Sequence, residues 1–81
     1  MNEKISYLYS YSLTHLTKTN RVKCVYVLKG RKGGIGMVKS LGGFFVCNGC
    51  FIIPEKNNQE IKEVLDRWNI RHNSKRIKLI N

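Results

Sequence analysis

The residues best suited to chemistry in this 81-residue chain form the run Gly30-Arg31-Lys32-Gly33-Gly34-Ile35-Gly36. Backbone amides left unshielded by glycine, beside two cations, can grip phosphate oxygens. The run is not a nucleotide-binding P-loop, because no Gly-Lys-Ser/Thr follows at the required spacing. Nor is it a dinucleotide fingerprint, which would need an acidic ribose contact within a β-α-β unit. What is left is non-covalent capture of an anion. Lys29, Gly30, Arg31, Lys32 and Gly33, with Lys39 just downstream, are the expected phosphate contacts. Arg71, Lys75, Arg76 and Lys78, in a second acid-free run, would extend the same surface.

Three other groups of residues compete for a role. Cys47-Asn48-Gly49-Cys50 pairs two thiols at a spacing used in zinc sites, and Cys24, His15 or His72 would have to complete the tetrahedron. A second Cys-x-x-Cys is missing, and small residues flanking a tight turn explain the pair without a metal. A redox pair would be followed by a helix N-terminus, which this pair lacks. No metal and no cofactor are therefore expected. His15 and His72 have no sequence-positioned acid or nucleophile beside them. A lone histidine can serve as the base of a ribonuclease, but no catalytic residue is assigned and no enzyme is expected. Tyr7, Tyr9 and Tyr11 could stack on unpaired bases. Their strict alternation suits a buried sheet face equally well, and at least two are expected in the core.

The elements that must position these residues follow from periodicity. Ile5, Tyr7, Tyr9, Tyr11 and Leu13 alternate with Ser6, Ser10, Ser12 and Thr14, which reads as a strand. Thr17 to Asn20 reads as a turn. From Arg21 the alternation resumes, with Val22, Cys24, Tyr26 and Leu28 opposite Lys23, Val25, Val27 and Lys29. This predicts a second strand paired antiparallel with the first. Ile35, Val38 and Leu41 give a short helix over about 35–41, stopped by Gly42-Gly43. Asn48-Gly49 between two apolar runs predicts a two-residue hairpin, ended by Pro54. Asn57 and Glu60 have the spacing of a capping box. Ile61, Val64, Leu65 and Trp68 then form one apolar stripe, a helix over about 58–69. On its other face Lys62–Asp66 and Glu63–Arg67 are spaced to pair. Ile77 and Leu79 suggest a short last edge strand. The fold class is α+β: a small antiparallel sheet of four to five strands with one amphipathic C-terminal helix, in a single domain spanning residues 1–81.

Charge decides the expected partner. Fifteen Lys and Arg against five Asp and Glu give a net charge of +10. No acid lies between Glu3 and Glu55, while Glu55, Glu60, Glu63 and Asp66 cluster around the C-terminal helix. Such an imbalance is self-repulsive, and a polyanion relieves it while releasing condensed counterions. No stretch has the length of a transmembrane helix, and no basic amphipathic helix or lipidation signal is visible. No membrane partner and no small-molecule substrate are expected. Three cysteines argue against a disulfide scaffold, and with the lack of a signal peptide they place the chain in the cytoplasm.

Gly30-Arg31-Lys32-Gly33, followed by an apolar helical stripe, resembles the Gly-x-x-Gly loop with which KH domains clamp a nucleic-acid backbone. The resemblance covers about a dozen residues. It departs from the family in the strand, rather than helix, predicted to enter the loop. The tract from Phe51 to Ile70, with Ile53-Pro54 leading into an amphipathic helix, resembles the end of HicA-type toxins, small basic ribonucleases with a double-stranded-RNA-binding fold. Their catalytic histidine lies in an earlier strand, and Phe44 to Phe51 contains none. The expected function is binding of RNA, ahead of DNA, since no helix read from the sequence has the basic face of a major-groove reader. The alternative is a small interaction protein, of the kind a virus or mobile element carries, docking on an acidic protein surface. An exposed edge strand also allows a homodimer.

Overall fold

A computed structural model describes residues 3–31 and 34–80. The elements run β1 (Glu3–Ser12), α1 (Lys18–Lys29), α2 (Gly36–Ser40), β2 (Phe44–Cys47), β3 (Cys50–Pro54), a 3-10 turn (Glu55–Asn57), α3 (Asn58–Arg67) and β4 (Arg71–Ile80). The four strands form one antiparallel sheet in the order β2-β3-β1-β4. The fold is thus α+β with one four-stranded antiparallel sheet. Two β-α-β halves interlock: β3 lies between β1 and β2, and β1 lies between β3 and β4, the split β-α-β arrangement.

The predicted hairpin forms at Asn48-Gly49, with Cys47 opposite Cys50 and Gly49 at a φ of 92°. A bulge between Phe45 and Cys47 bends β2 on its way into that turn. The C-terminal helix also forms, burying Ile61 and Leu65. Its start differs from expectation. The 3-10 turn occupies the approach, Asn57 makes no side-chain cap, and its Nδ2 donates instead to the Leu41 carbonyl at 2.7 Å. Asp66 approaches His72 Nε2 at 3.9 Å rather than serving only the helix surface. The last strand is ten residues long and is the sheet edge opposite β2.

The main correction concerns residues 21–29, predicted as a strand and found as the body of α1. Thr17, predicted to open a turn, is the N-cap: its side chain accepts from Asn20 N at 3.3 Å. Gly30, at φ 90°, ends the helix and donates its amide to the Tyr26 carbonyl at 2.9 Å. Cys24 and Leu28, one helical turn apart, are fully buried, while Val22 and Tyr26 are exposed. The alternation of β-branched residues therefore misleads. Tertiary context settles the matter, because both hydrogen-bonding edges of β1 are taken, one by β3 and one by β4. A strand at 21–29 would have no edge of β1 to pair with. Removing the cap tests this assignment. Thr17→Ala should lower unfolding stability by about 1 kcal/mol in a denaturant titration; a turn joining two strands would lose nothing comparable.

All three helices pack on one face of the sheet. That face carries Tyr9, Phe51 and Ile53, which with Cys24, Leu28, Val38, Leu41, Ile61, Leu65 and Ile70 form the core. Tyr9 stacks on Phe51 with centroids 5.3 Å apart. Its hydroxyl, held up from the usual tyrosine pKa chiefly by burial, donates to Asn58 Oδ1. Tyr7 and Tyr11 pack against the same cluster. The tyrosine face is therefore core. Among the described residues, the other sheet face carries no helix.

Candidate nucleic-acid interface

The glycine-rich loop joins two helices, α1 and α2. Lys32 and Gly33 lie outside the described residues; the remainder folds tightly back on itself. Gly34 donates its amide to the Arg31 carbonyl at 2.6 Å. A Cβ on Gly30 would lie 2.4 Å from the Gly34 carbonyl oxygen and 2.7 Å from Gly36 N. Positive φ and the close passage of residues 34–36 both demand glycine at position 30.

The cations on either side of the loop are held by specific contacts. The Lys29 ammonium lies 5.2 Å from the centre of the Phe45 ring and donates to Asn48 Oδ1 at 3.2 Å. The Arg31 guanidinium sits over Tyr26, 5.1 Å from its ring centre. Each aromatic ring presents its negative face to the cation and restricts the long side chain. Lys39 projects from the last turn of α2 and is exposed. Between α2, the loop and β2 opens a cleft of about 530 Å³ whose walls include Lys29, Ile35, Val38, Lys39, Phe44 and Phe45. Phe44 is 51% exposed and Ile35 56%. An apolar floor walled by the Phe45 ring and rimmed by the Lys29 and Lys39 ammonium groups suits a flat heterocycle joined to an anionic backbone.

The predicted contacts fall into two groups. Lys29 and Lys39 line this cleft, while Gly30 and Arg31 lie in the adjoining loop, with Arg31 over Tyr26. Arg71, Lys75, Arg76 and Lys78 all lie on β4, about 14 Å from β2 by strand spacing. They do not form one surface, because pairing with β1 sends alternate residues to opposite faces. Arg71 and Lys75 align with Ser12 and Leu8 on the bare face; Arg76 and Lys78 align with Tyr7 and Ile5 on the helical face. Arg76 Nε is 3.7 Å from Glu55 Oε2.

Phe44, Phe45, Ile35 and Asn48 were not singled out by sequence reasoning. Nothing in their spacing marks them; their place in the site follows from β2 lying beside the loop. The candidates for other chemistry are dispersed. Cys24 is in the core, and burial raises its thiol pKa. The Cys50 thiol is raised first by its hydrogen bond with Cys47 and then by burial. Among the described residues no three His, Cys, Asp or Glu side chains come together as a metal site. His15 Nε2 and His72 Nδ1 each hydrogen-bond a backbone carbonyl at 2.8 Å, of Asn69 and Ile70 respectively. Among the described residues no helix is long and apolar enough to cross a membrane.

No family model matches the chain, and no curated protein or solved structure is significantly similar to it.

Proposed function

We propose that this protein binds nucleic acid, RNA ahead of DNA, with an unpaired segment seated in the cleft between the glycine loop, α2 and β2. The observation that carries the reading is the placing of Lys29 and Lys39 in the wall of an apolar cleft with the Phe45 ring, beside the loop that carries Arg31, in a chain of net charge +10. The cations neutralise phosphates, and the Phe45 ring, on the helical face of β2, offers an aromatic wall to a splayed base. A helix enters Gly30-Arg31-Lys32-Gly33 and a helix follows it, so the departure from the KH pattern at that point falls away.

A second reading is favoured by α1 itself. Lys18, Arg21 and Lys23 are exposed along a helix that contains no acid, the kind of surface that lies against a duplex. Paired bases cannot enter the cleft, so strandedness separates the two. Fluorescence anisotropy with matched single- and double-stranded RNA and DNA should rank single-stranded RNA first, and Phe45→Leu, which keeps an apolar side chain against Phe51, should weaken it by about tenfold, the stacking contribution of one base. Tighter duplex binding, indifferent to Phe45, would assign the interface to α1. Failure of all four to bind at low salt, with no excess absorbance near 260 nm in the purified protein, would favour an acidic protein partner.

A further inference from the structure

The bare face of the sheet is unexplained by a nucleic-acid cleft on the other side of β2. Register defines its composition. Phe44, Ile52, Leu8 and Lys75 form one row across β2, β3, β1 and β4, and Pro54, Ser6 and Ile77 form the next. Leu79 follows beside Lys4. The centre of the face is apolar or small and uncharged. Its cations, Lys4, Arg71 and Lys75, stand at the strand ends and on the β4 edge, and among the described residues no acid lies on it. Ile52 and Ser6 are already buried, whereas Phe44 is half exposed and Leu8, Ile77 and Leu79 are partly so. A contiguous apolar patch of this kind on a small domain marks an association surface.

We propose that this face packs against the same face of a second copy of the chain, forming a two-fold dimer of stacked sheets. Size is the first argument. Four strands span about 19 Å, and the ten-residue strands β1 and β4 run about 34 Å, giving roughly 500–600 Å² of plane area per copy. That approaches the roughly 800 Å² per partner of a standard interface before the rim is counted. Charge is the second. An acidic partner would set its carboxylates over an uncharged centre, where they would be desolvated without cations. A second copy meets apolar with apolar. A two-fold axis parallel to the strands sets β4 of each copy over β2 of the other, so each Lys75 meets the partner's Phe44 rather than another lysine.

The dimer is opposed by the +10 charge on each copy, and salt screens that repulsion. Its salt response is therefore opposite in sign to that of nucleic-acid binding, and either reading can fail without the other. Sedimentation velocity of the whole chain at about 0.1 M and about 1 M salt, where the screening length falls from about 10 to about 3 Å, should show dimer rising with salt. Leu8→Lys should weaken dimerisation on the order of 100-fold, because an isologous contact carries the substitution twice. Ile77→Lys, partly exposed near the β4 edge, gives the same test with less risk to folding; circular dichroism checks both variants. A monomer at every salt and concentration overturns the proposal, and so does a dimer that both folded variants leave intact. Retention of poly-glutamate by the wild type but not by Arg71→Ala/Lys75→Ala would then assign the face to an acidic partner.

Discussion

Phe51→Ala should lower unfolding stability by about 3–5 kcal/mol. Phe51 is fully buried. It stacks on Tyr9, tilts against Tyr11 and meets Phe45 edge-on, with centroids 5.3 to 5.7 Å away. Truncation removes the transfer free energy of the ring and opens a cavity at the junction of β1, β2 and β3, which paired strands cannot collapse to fill. A domain of this length has about 4–12 kcal/mol of total stability, so one such loss consumes much of it. Phe44, on the opposite face of the neighbouring strand, provides the internal comparison. It is half exposed, and Phe44→Ala should shift the unfolding midpoint only slightly. Equal losses at the two positions, measured by urea titration, would mean that the bare face is covered and that the core does not lie where the helices put it.

The second large effect concerns binding. Lys29→Ala, Arg31→Ala and Lys39→Ala combined should reduce affinity for single-stranded RNA by about 100-fold at about 0.1 M salt. Each phosphate contact on a single strand contributes about 0.7 to the slope of log K against log salt, or about fivefold at that concentration. Three contacts multiply to about 100-fold. Folding should be preserved, because the three side chains are exposed and their contacts with Phe45, Asn48 and Tyr26 are at the surface. Arg71→Ala and Lys75→Ala, on β4 and on the other face of the sheet, should change affinity far less. Sequence position alone would have placed all these cations in one patch.

That contrast shows what was legible before the fold was known. Gly49 takes its positive φ at little cost and Asn48 is a common turn residue, so the hairpin could be read from two residues and their apolar flanks. The stripe Ile61, Val64, Leu65 and Trp68 could be read because a helical period has few alternatives over that length. Residues 21–29 could not. Val22, Val25 and Val27 favour a strand locally, and only the occupation of both edges of β1 shows why a helix forms there. The Asn57–Glu60 spacing was likewise present without its capping box, since Asn57 is drawn to the Leu41 carbonyl. In the candidate site the cations were legible and the cleft was not. Its aromatic wall comes from β2, which reaches the loop only because β3 is inserted between β1 and β2.

The most direct test of the nucleic-acid interface is a salt titration of single-stranded RNA binding, wild type beside the Lys29/Arg31/Lys39 triple alanine variant. A wild-type log–log slope that becomes shallower by about 2 in the variant is the predicted result, and it identifies the loop and α2 as the phosphate grip. Parallel slopes, or binding that does not weaken with salt, would contradict it: the charge around the cleft would then serve something other than a phosphate backbone.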